Sequence, residues 1–278
     1  MDFRTILLVV GVEQDDAEID RAARIAEGLG AHLVILALGV APPPPSSPYG
    51  VVSNDIWANE IRDGQDLARE RAQAIEARLR ERGAPFTAQS QYVDRGAIAT
   101  LVARYARYAD LTLITPEVAD VELAQSWVIN GALFESGRPV LLLPKGDCAF
   151  PAARRIMIAW DASVEASKAV LDAIGLMRGA EAVVAVLIDP VPSFEGHGPE
   201  PGADLAAYLG RHDISVEVRR VPKEGREVAE ILQRAAVDIG ADLIVMGGFG
   251  HSRLRQRIFG GTTTSTIRST GVPVLMAH

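Results

Sequence analysis

The sequence predicts two tandem α/β domains, each a parallel β-sheet sandwiched between helices. Three observations predict it. First, the chain repeats itself: FRTILLVVGVEQDDAEIDRAARIAEGLGAHLVILAL near the start matches the pattern of RRIMIAWDASVEASKAVLDAIGLMRGAEAVVAVLI in the middle. A long repeat of this kind means one structural unit used twice. Second, the apolar runs are rich in Val, Ile and Leu with little polar alternation, as in strands covered on both faces. Third, such strands alternate with amphipathic helices, and right-handed βαβ crossovers turn that order into a parallel sheet.

Each element follows from local chemistry. Ile6–Val10 and Ile156–Trp160 are the first strands of the two copies. Helices come next: Ile19, Ala22, Ala23, Ile25, Ala26 and Leu29 recur at helical spacing in one, and Ala166, Ala169, Val170, Ala173, Ile174 and Met177 in the other. Gly30 and Gly179 stand where a left-handed residue would close each helix. Second strands follow at His32–Leu38 and Ala182–Ile188. The first copy then makes an excursion through Pro42–Pro45, a stiff surface loop, and a long charged helix over Asn54–Arg82. The second copy continues with a loop at 189–202, a short helix over Ala203–Arg211, strand Ser215–Val221, helix Glu224–Ile239 and strand Leu243–Met246. A glycine-rich loop, a helix over Thr262–Ser269 and strand Val272–Ala277 complete it.

The later parts also repeat. ADLTLITP (Ala109–Pro116) matches ADLIVMGG (Ala241–Gly248), and GRPVLLLP (Gly137–Pro144) matches GVPVLMAH (Gly271–His278). The separations are 132 and 134 residues, so the second copy carries two extra residues where its glycine-rich loop lies. The polar, proline-containing stretch Pro144–Arg154 reads as the linker. The domains are therefore expected at 1–145 and 154–278.

Composition narrows the function. The chain has 278 residues, 48% hydrophobic and 23% charged, enough for a full core in each half without metals or disulfides. Its formal net charge of −8, with no basic block, argues against nucleic-acid binding, which needs phosphate neutralisation. The single cysteine, Cys148, excludes an internal disulfide framework, and the five scattered histidines form no metal motif. No apolar run reaches the ~18–20 residues of a membrane span, and the start of the chain reads as a strand rather than a signal peptide. The expected compartment is a reducing cytoplasm.

The segment MGGFGHSRLRQRIFGGTTTS, Met246–Ser265, carries the most chemistry. It follows a buried strand and precedes a helix, where open α/β sheets place ligand loops. Gly247 and Gly250 allow close backbone approach. Gly260 and Gly261 precede Thr262, Thr263 and Thr264, where free N–H groups, hydroxyls and a helix dipole suit a phosphate. The competing reading is that these glycines serve turns and a cap. Arg253, Arg255 and Arg257 offer a cationic lid or a solvated segment, and His251 a phosphate contact or none. Asp161 is an alternative cap for the helix after it, in competition with Ser163.

The spacing Gly247-x2-Gly250-x9-Gly260, between ADLIVM and GVPVLM, resembles the universal stress protein family, and the likeness covers the whole chain as two tandem copies. In that family G-x2-G-x9-G-[S/T] marks members that bind ATP. The resemblance implies Rossmann-like domains of the adenine nucleotide α-hydrolase-like kind, each a five-stranded parallel sheet in the order 3-2-1-4-5, paired through the last strands, Val140–Leu143 and Val274–Ala277, as a pseudo-dimer. It implies Asp161 as the acid after the first strand, Leu187 beside the adenine and Met246 lining its pocket. Gly247 and Gly250 would lie near ribose and phosphates, and Gly260, Gly261 and Thr262 around the phosphates. One departure stands out: the family's Ser or Thr after the third glycine is Gly261 here, leaving Thr262, Thr263 and backbone N–H groups as donors.

The first copy lacks this machinery. Gly11 stands where the second has Asp161, Thr115 and Val118 stand opposite Gly247 and Gly250, and the one glycine of Glu117–Phe134, Gly131, has the wrong spacing. The expectation is a cytoplasmic stress-response protein that binds ATP in its second half, with Mg²⁺ a candidate companion, and acts as a regulator or scaffold without need of catalysis. A homodimer is a further expectation. Two alternatives stay open: a stress protein that works by protein contacts without a nucleotide, and a slow ATP hydrolase, which needs a water-positioning group.

Overall fold

The computed structural model describes residues 3–43, 46–47, 50–51, 55–82, 85–116, 122–146, 148, 150–193, 196–248 and 271–278. The chain divides into two compact units, one of residues 3–136 and one that contains 137–278.

In the first unit, β1 (Thr5–Gly11), β2 (His32–Val40), β3 (Phe86–Val93) and β4 (Leu111–Ile114) form a parallel sheet in the order β3-β2-β1-β4. Helix α1 (Asp16–Leu29) buries Ile19, Ala22, Ala23, Ile25 and Ala26, the face its periodicity marks. Asp15 caps its start, accepting from the Ala17 N–H, and Gly30 closes it at φ 62°, which glycine adopts without a Cβ penalty. Helix α2 (Asp55–Leu79) is the long charged helix; α3 (Ile98–Ala106) and α4 (Glu122–Ile129) follow, and α4 runs on into a π-helical turn, Asn130–Phe134.

Helices α1 and α2 are joined by a ladder of ion pairs. Arg71 and Arg78 meet Asp16 at 2.7 and 3.2 Å, and Arg78 and Arg82 both donate to Asp20. The Arg78 hydrogen bond, assisted by the charges of Arg78 and Arg82, holds the Asp20 carboxyl below its ordinary range despite partial burial. A depressed folded value stabilises the fold above the unfolded carboxylate pKa of about 3.9, and that stabilisation is lost as pH falls through the folded value. Asp20→Asn is therefore expected to cost about 1 kcal/mol at pH 7. In urea titrations at falling pH, the gap between the two proteins should close once the carboxylate is protonated; a gap that persists in acid would contradict the ion-pair account.

In the second unit, β6 (Arg155–Ala159), β7 (Ala182–Ile188), β8 (Val216–Val221), β9 (Leu243–Gly247) and β10 (Val274–Ala277) form a five-stranded parallel sheet in the order β8-β7-β6-β9-β10. That is 3-2-1-4-5, as expected. A further strand, β5 (Val140–Leu142), belongs to this unit and pairs antiparallel with β10, in register Leu142 to Val274 and Val140 to Met276. It covers what would otherwise be an open sheet edge.

Helix α5 (Val164–Met177) buries Ala166, Ala169, Val170, Ala173, Ile174 and Met177; α6 (Ala203–Gly210) and α7 (Val228–Ile239) complete the layers. Two ends differ from the sequence expectation. Gly179 is not left-handed: α5 ends on Arg178 in helical conformation, with the N–H groups of Gly179 and Ala180 bonded three residues back. Helix α7 starts four residues later than expected, because Glu224 and Gly225 take positive φ of 48° and 73° and turn the chain first. Among the described residues no helix is long and apolar enough to cross a membrane, and no group of His, Cys, Asp or Glu could hold a metal. The expected helix over Thr262–Ser269 lies outside the described residues.

Candidate functional site

Strand order reverses between β6 and β9, and crevices at such points open at the carboxyl ends of the strands. In the second unit Ala159 of β6 is flanked in register by Val186 of β7 and Met246 of β9. Met246 and Leu187 are buried core residues of the last strand rows, Met246 beside Met276 and Leu187 beside Arg220. Beyond them the chain turns sharply. The Trp160 N–H still bonds to Val186, Asp161 is exposed, and Ala162 takes a φ of 61°, unusual for a residue with a Cβ.

That turn delivers the start of α5 to the crevice. Ser163 is the cap: its Oγ accepts from the Ala166 N–H at 3.1 Å. Asp161 braces the cap, its Oδ1 accepting from the Ser163 N–H at 3.0 Å and from the Ser163 hydroxyl at 2.6 Å. Of the two residues that compete for the cap in the sequence, Ser163 takes it and Asp161 orients it. Oδ1 is committed to Ser163, and Oδ2 makes no hydrogen bond among the described residues. Val164, the first residue of α5, is 82% exposed.

Gly247 explains how α5 comes so close. A Cβ there would stand 2.5 Å from the Ala166 nitrogen and 2.8 Å from the Glu165 carbonyl carbon. Only glycine lets the first turn of α5 sit directly against the end of β9. Next to it, the Gly248 N–H bonds to Ala277, and a His278 ring nitrogen lies 2.8 Å from the Gly248 carbonyl. A helix N-terminus held at a strand end presents free N–H groups and the positive end of a dipole, the setting for an anion such as phosphate. Asp161, Leu187, Met246 and Gly247 are thus gathered around one strand-end region. Gly250, Gly260, Gly261, Thr262, Thr263, His251, Arg253, Arg255 and Arg257 lie outside the described residues.

The first unit fills the equivalent place. Ile6 pairs with Leu111 as Ile156 does with Leu243, so Gly11 corresponds to Asp161 and Thr115 to Gly247. Thr115 is fully buried. Gln14 bridges the two strand ends: its Oε1 accepts from the Gly11 N–H at 3.1 Å and its Nε2 donates to Thr115 Oγ1 at 2.9 Å. Arg71 donates to the Gln14 carbonyl at 2.6 Å and fastens it to α2. Gly11 lies five residues before α1, whereas Asp161 lies three before α5. The side chain of Thr115 takes the space that Gly247 leaves to a helix, and Gln14 closes the crevice. Nothing in the apolar pattern marks Gln14; its polarity between strand and helix was the available signal. Val118 lies outside the described residues.

The family model described as the universal stress protein family matches residues 152–278. Residues 152–278 form a universal stress protein domain. A universal stress protein of Synechocystis sp. is 26% identical over 141 residues, a match that spans 50% of this chain and 46% of that protein's length. Among solved structures, a universal stress protein from Archaeoglobus fulgidus aligns over 98% of this chain and 95% of its own, with TM-score 0.67 and 17% identity. A putative universal stress protein from Pseudomonas aeruginosa aligns over 98% and 92%, with TM-score 0.54 and 17% identity. At that identity the two structures speak for the fold, and they do so over nearly the entire chain. The universal stress protein match in sequence and the helix-bearing crevice fall in the same half.

Proposed function

We propose that the chain as a whole is a universal stress protein, a cytoplasmic regulator or scaffold that binds ATP at the crevice of its second domain and uses no catalytic step. In this reading the start of α5 and the loop with Gly250, Gly260, Gly261 and Thr262 receive the phosphates. Asp161 accepts from the ribose through its uncommitted oxygen, and Leu187 and Met246 flank the adenine. The supporting observation is the contrast between the copies. Gly247 seats a helix N-terminus beside Asp161 in the second, while Gln14 and Thr115 occupy the same place in the first. A second reading, action by protein contacts without a nucleotide, is favoured by Gly261 in place of a phosphate-binding hydroxyl.

Calorimetric titration of the full chain with ATP, with and without Mg²⁺, separates the two. ATP should bind once per chain, and Gly250→Val should abolish binding while the melting temperature changes little. Unfolding of that variant would assign Gly250 to a turn, and an absence of heat with the parent protein would favour the nucleotide-free reading.

A further inference from the structure

The first unit carries an open cleft of about 380 Å³ toward the amino ends of its strands, on the side opposite the crevices described above. That size lies within the about 300–1,000 Å³ of small-molecule sites. Its floor is apolar: Leu7 of β1 and Val34 of β2 are register partners and share a sheet face, with Thr5 two residues before Leu7. Gln89 of β3 lies on the same face, since Thr87 pairs with Val34. The opposite wall is the end of α3 and the turn after it: Arg104, Tyr105 and Tyr108.

The groups on that wall are arranged rather than loose. The Tyr105 hydroxyl donates to Gln89 Oε1 at 2.8 Å, which leaves the Gln89 amide NH₂ as a donor. The Arg104 guanidinium lies 5.3 Å from the Tyr105 ring centre and has no carboxylate partner among the described residues. Tyr108, which also lines the cleft, is 83% exposed, an uncommon degree of exposure for a large ring.

The corresponding ground is lined differently in the second copy. Asp110 accepts from the N–H groups of Arg4 and Thr5 just as Asp242 accepts from those of Arg154 and Arg155. Thr5 therefore corresponds to Arg155, and Tyr108 to Gly240. In the second copy Arg155 donates to the Ile239 carbonyl at 3.2 Å, its stem passing beside Gly240. That side chain crosses the ground which, in the first copy, a short threonine leaves open and a tyrosine walls.

One cation, two phenol rings, an amide and an apolar floor, with no acid among the lining residues, suit a flat molecule bearing a negative charge. We propose that this cleft binds a small aromatic carboxylate. Arg104 takes the carboxylate through its planar fork, Tyr105 and Tyr108 stack on the ring, and the half-buried Val34, backed by the buried Leu7, receives its apolar edge. The proposal is independent of ATP binding in the second domain.

Indole-3-acetate is the probe, titrated into the full chain by calorimetry and by amide NMR. Saturable binding at about millimolar or tighter is expected, with shifts at Leu7, Val34, Gln89 and Tyr108 and no competition from ATP. Loss of the charge-assisted pair in Arg104→Gln, and of the ring in Tyr108→Ala, should each weaken binding about tenfold, and the neutral indole-3-acetamide should bind about tenfold more weakly. Both side chains are exposed, so the variants should melt as the parent does. Failure to saturate by about 10 mM, equal affinity for acid and amide, or indifference to both variants would each overturn the proposal.

Discussion

Gly131→Ala is expected to destabilise the unit of residues 3–136 by about 3 kcal/mol or more, at the upper end of overpacking effects. Gly131 lies in the π-helical turn after α4, buried against α3. A Cβ on it would overlap the Ala99 carbonyl oxygen and stand 3.0 Å from the Ala99 C and Cα atoms. Those are backbone atoms of a helix that buries Ile98, Val102, Ala103 and Ala106, so they yield only if α3 leaves the core. At roughly 2–4 °C per kcal/mol for a domain of this size, the first unit's transition should fall by about 6–12 °C in a thermal melt of the full chain. A drop of less than about 2 °C would show that α3 can shift at little cost. The same reasoning applies at Gly247, where the obstruction is the backbone of Glu165 and Ala166 in α5. Both glycines are places where a helix touches main chain, and neither needs a positive φ.

Saturating ATP is expected to raise the unfolding transition of the second unit by roughly 5–10 °C. A ligand that binds only the folded state adds about 2.7 kcal/mol at a hundredfold excess over Kd, and 1 kcal/mol moves the transition by roughly 2–4 °C. The protection should be regional. Hydrogen exchange should slow at the start of α5 and the end of β9, and should stay unchanged at the Gln14 bridge, where Gly11 and Thr115 already have partners. AMP should do less, since a helix N-terminus rewards the added phosphate charge. A flat thermal-shift curve to millimolar ATP, with and without Mg²⁺, would remove the nucleotide from the proposal and leave the protein-contact reading. Protection centred on the first unit would reverse the assignment of the two crevices.

Among the described residues, the main strands and helices, their order and the duplication were legible in the sequence because each rests on local chemistry. Continuous Val/Ile/Leu runs make buried strands, and apolar residues at helical spacing mark the buried faces of α1 and α5, as the structure has them. Gly30 is left-handed where a closing glycine was expected. The strand order 3-2-1-4-5 came with the family resemblance, since many sheet orders satisfy the same periodicities. Tertiary structure decided the rest. Gly179 looks like Gly30 in the sequence, yet α5 ends without it, the Arg178 side chain reaching to the His212 carbonyl. Gly247 reads as a ligand glycine, and its immediate neighbour is the first turn of α5. Gln14 reads as a loop residue, and it joins two strand ends through Thr115, 101 residues away. Thr5 and Arg155 stand at equivalent positions, one leaving a cleft open and the other crossing it. Periodicity and propensity report what a residue does within a few neighbours along the chain. Whether a missing Cβ admits a helix, or a side chain fills a crevice, depends on segments that meet only after the sheet has formed.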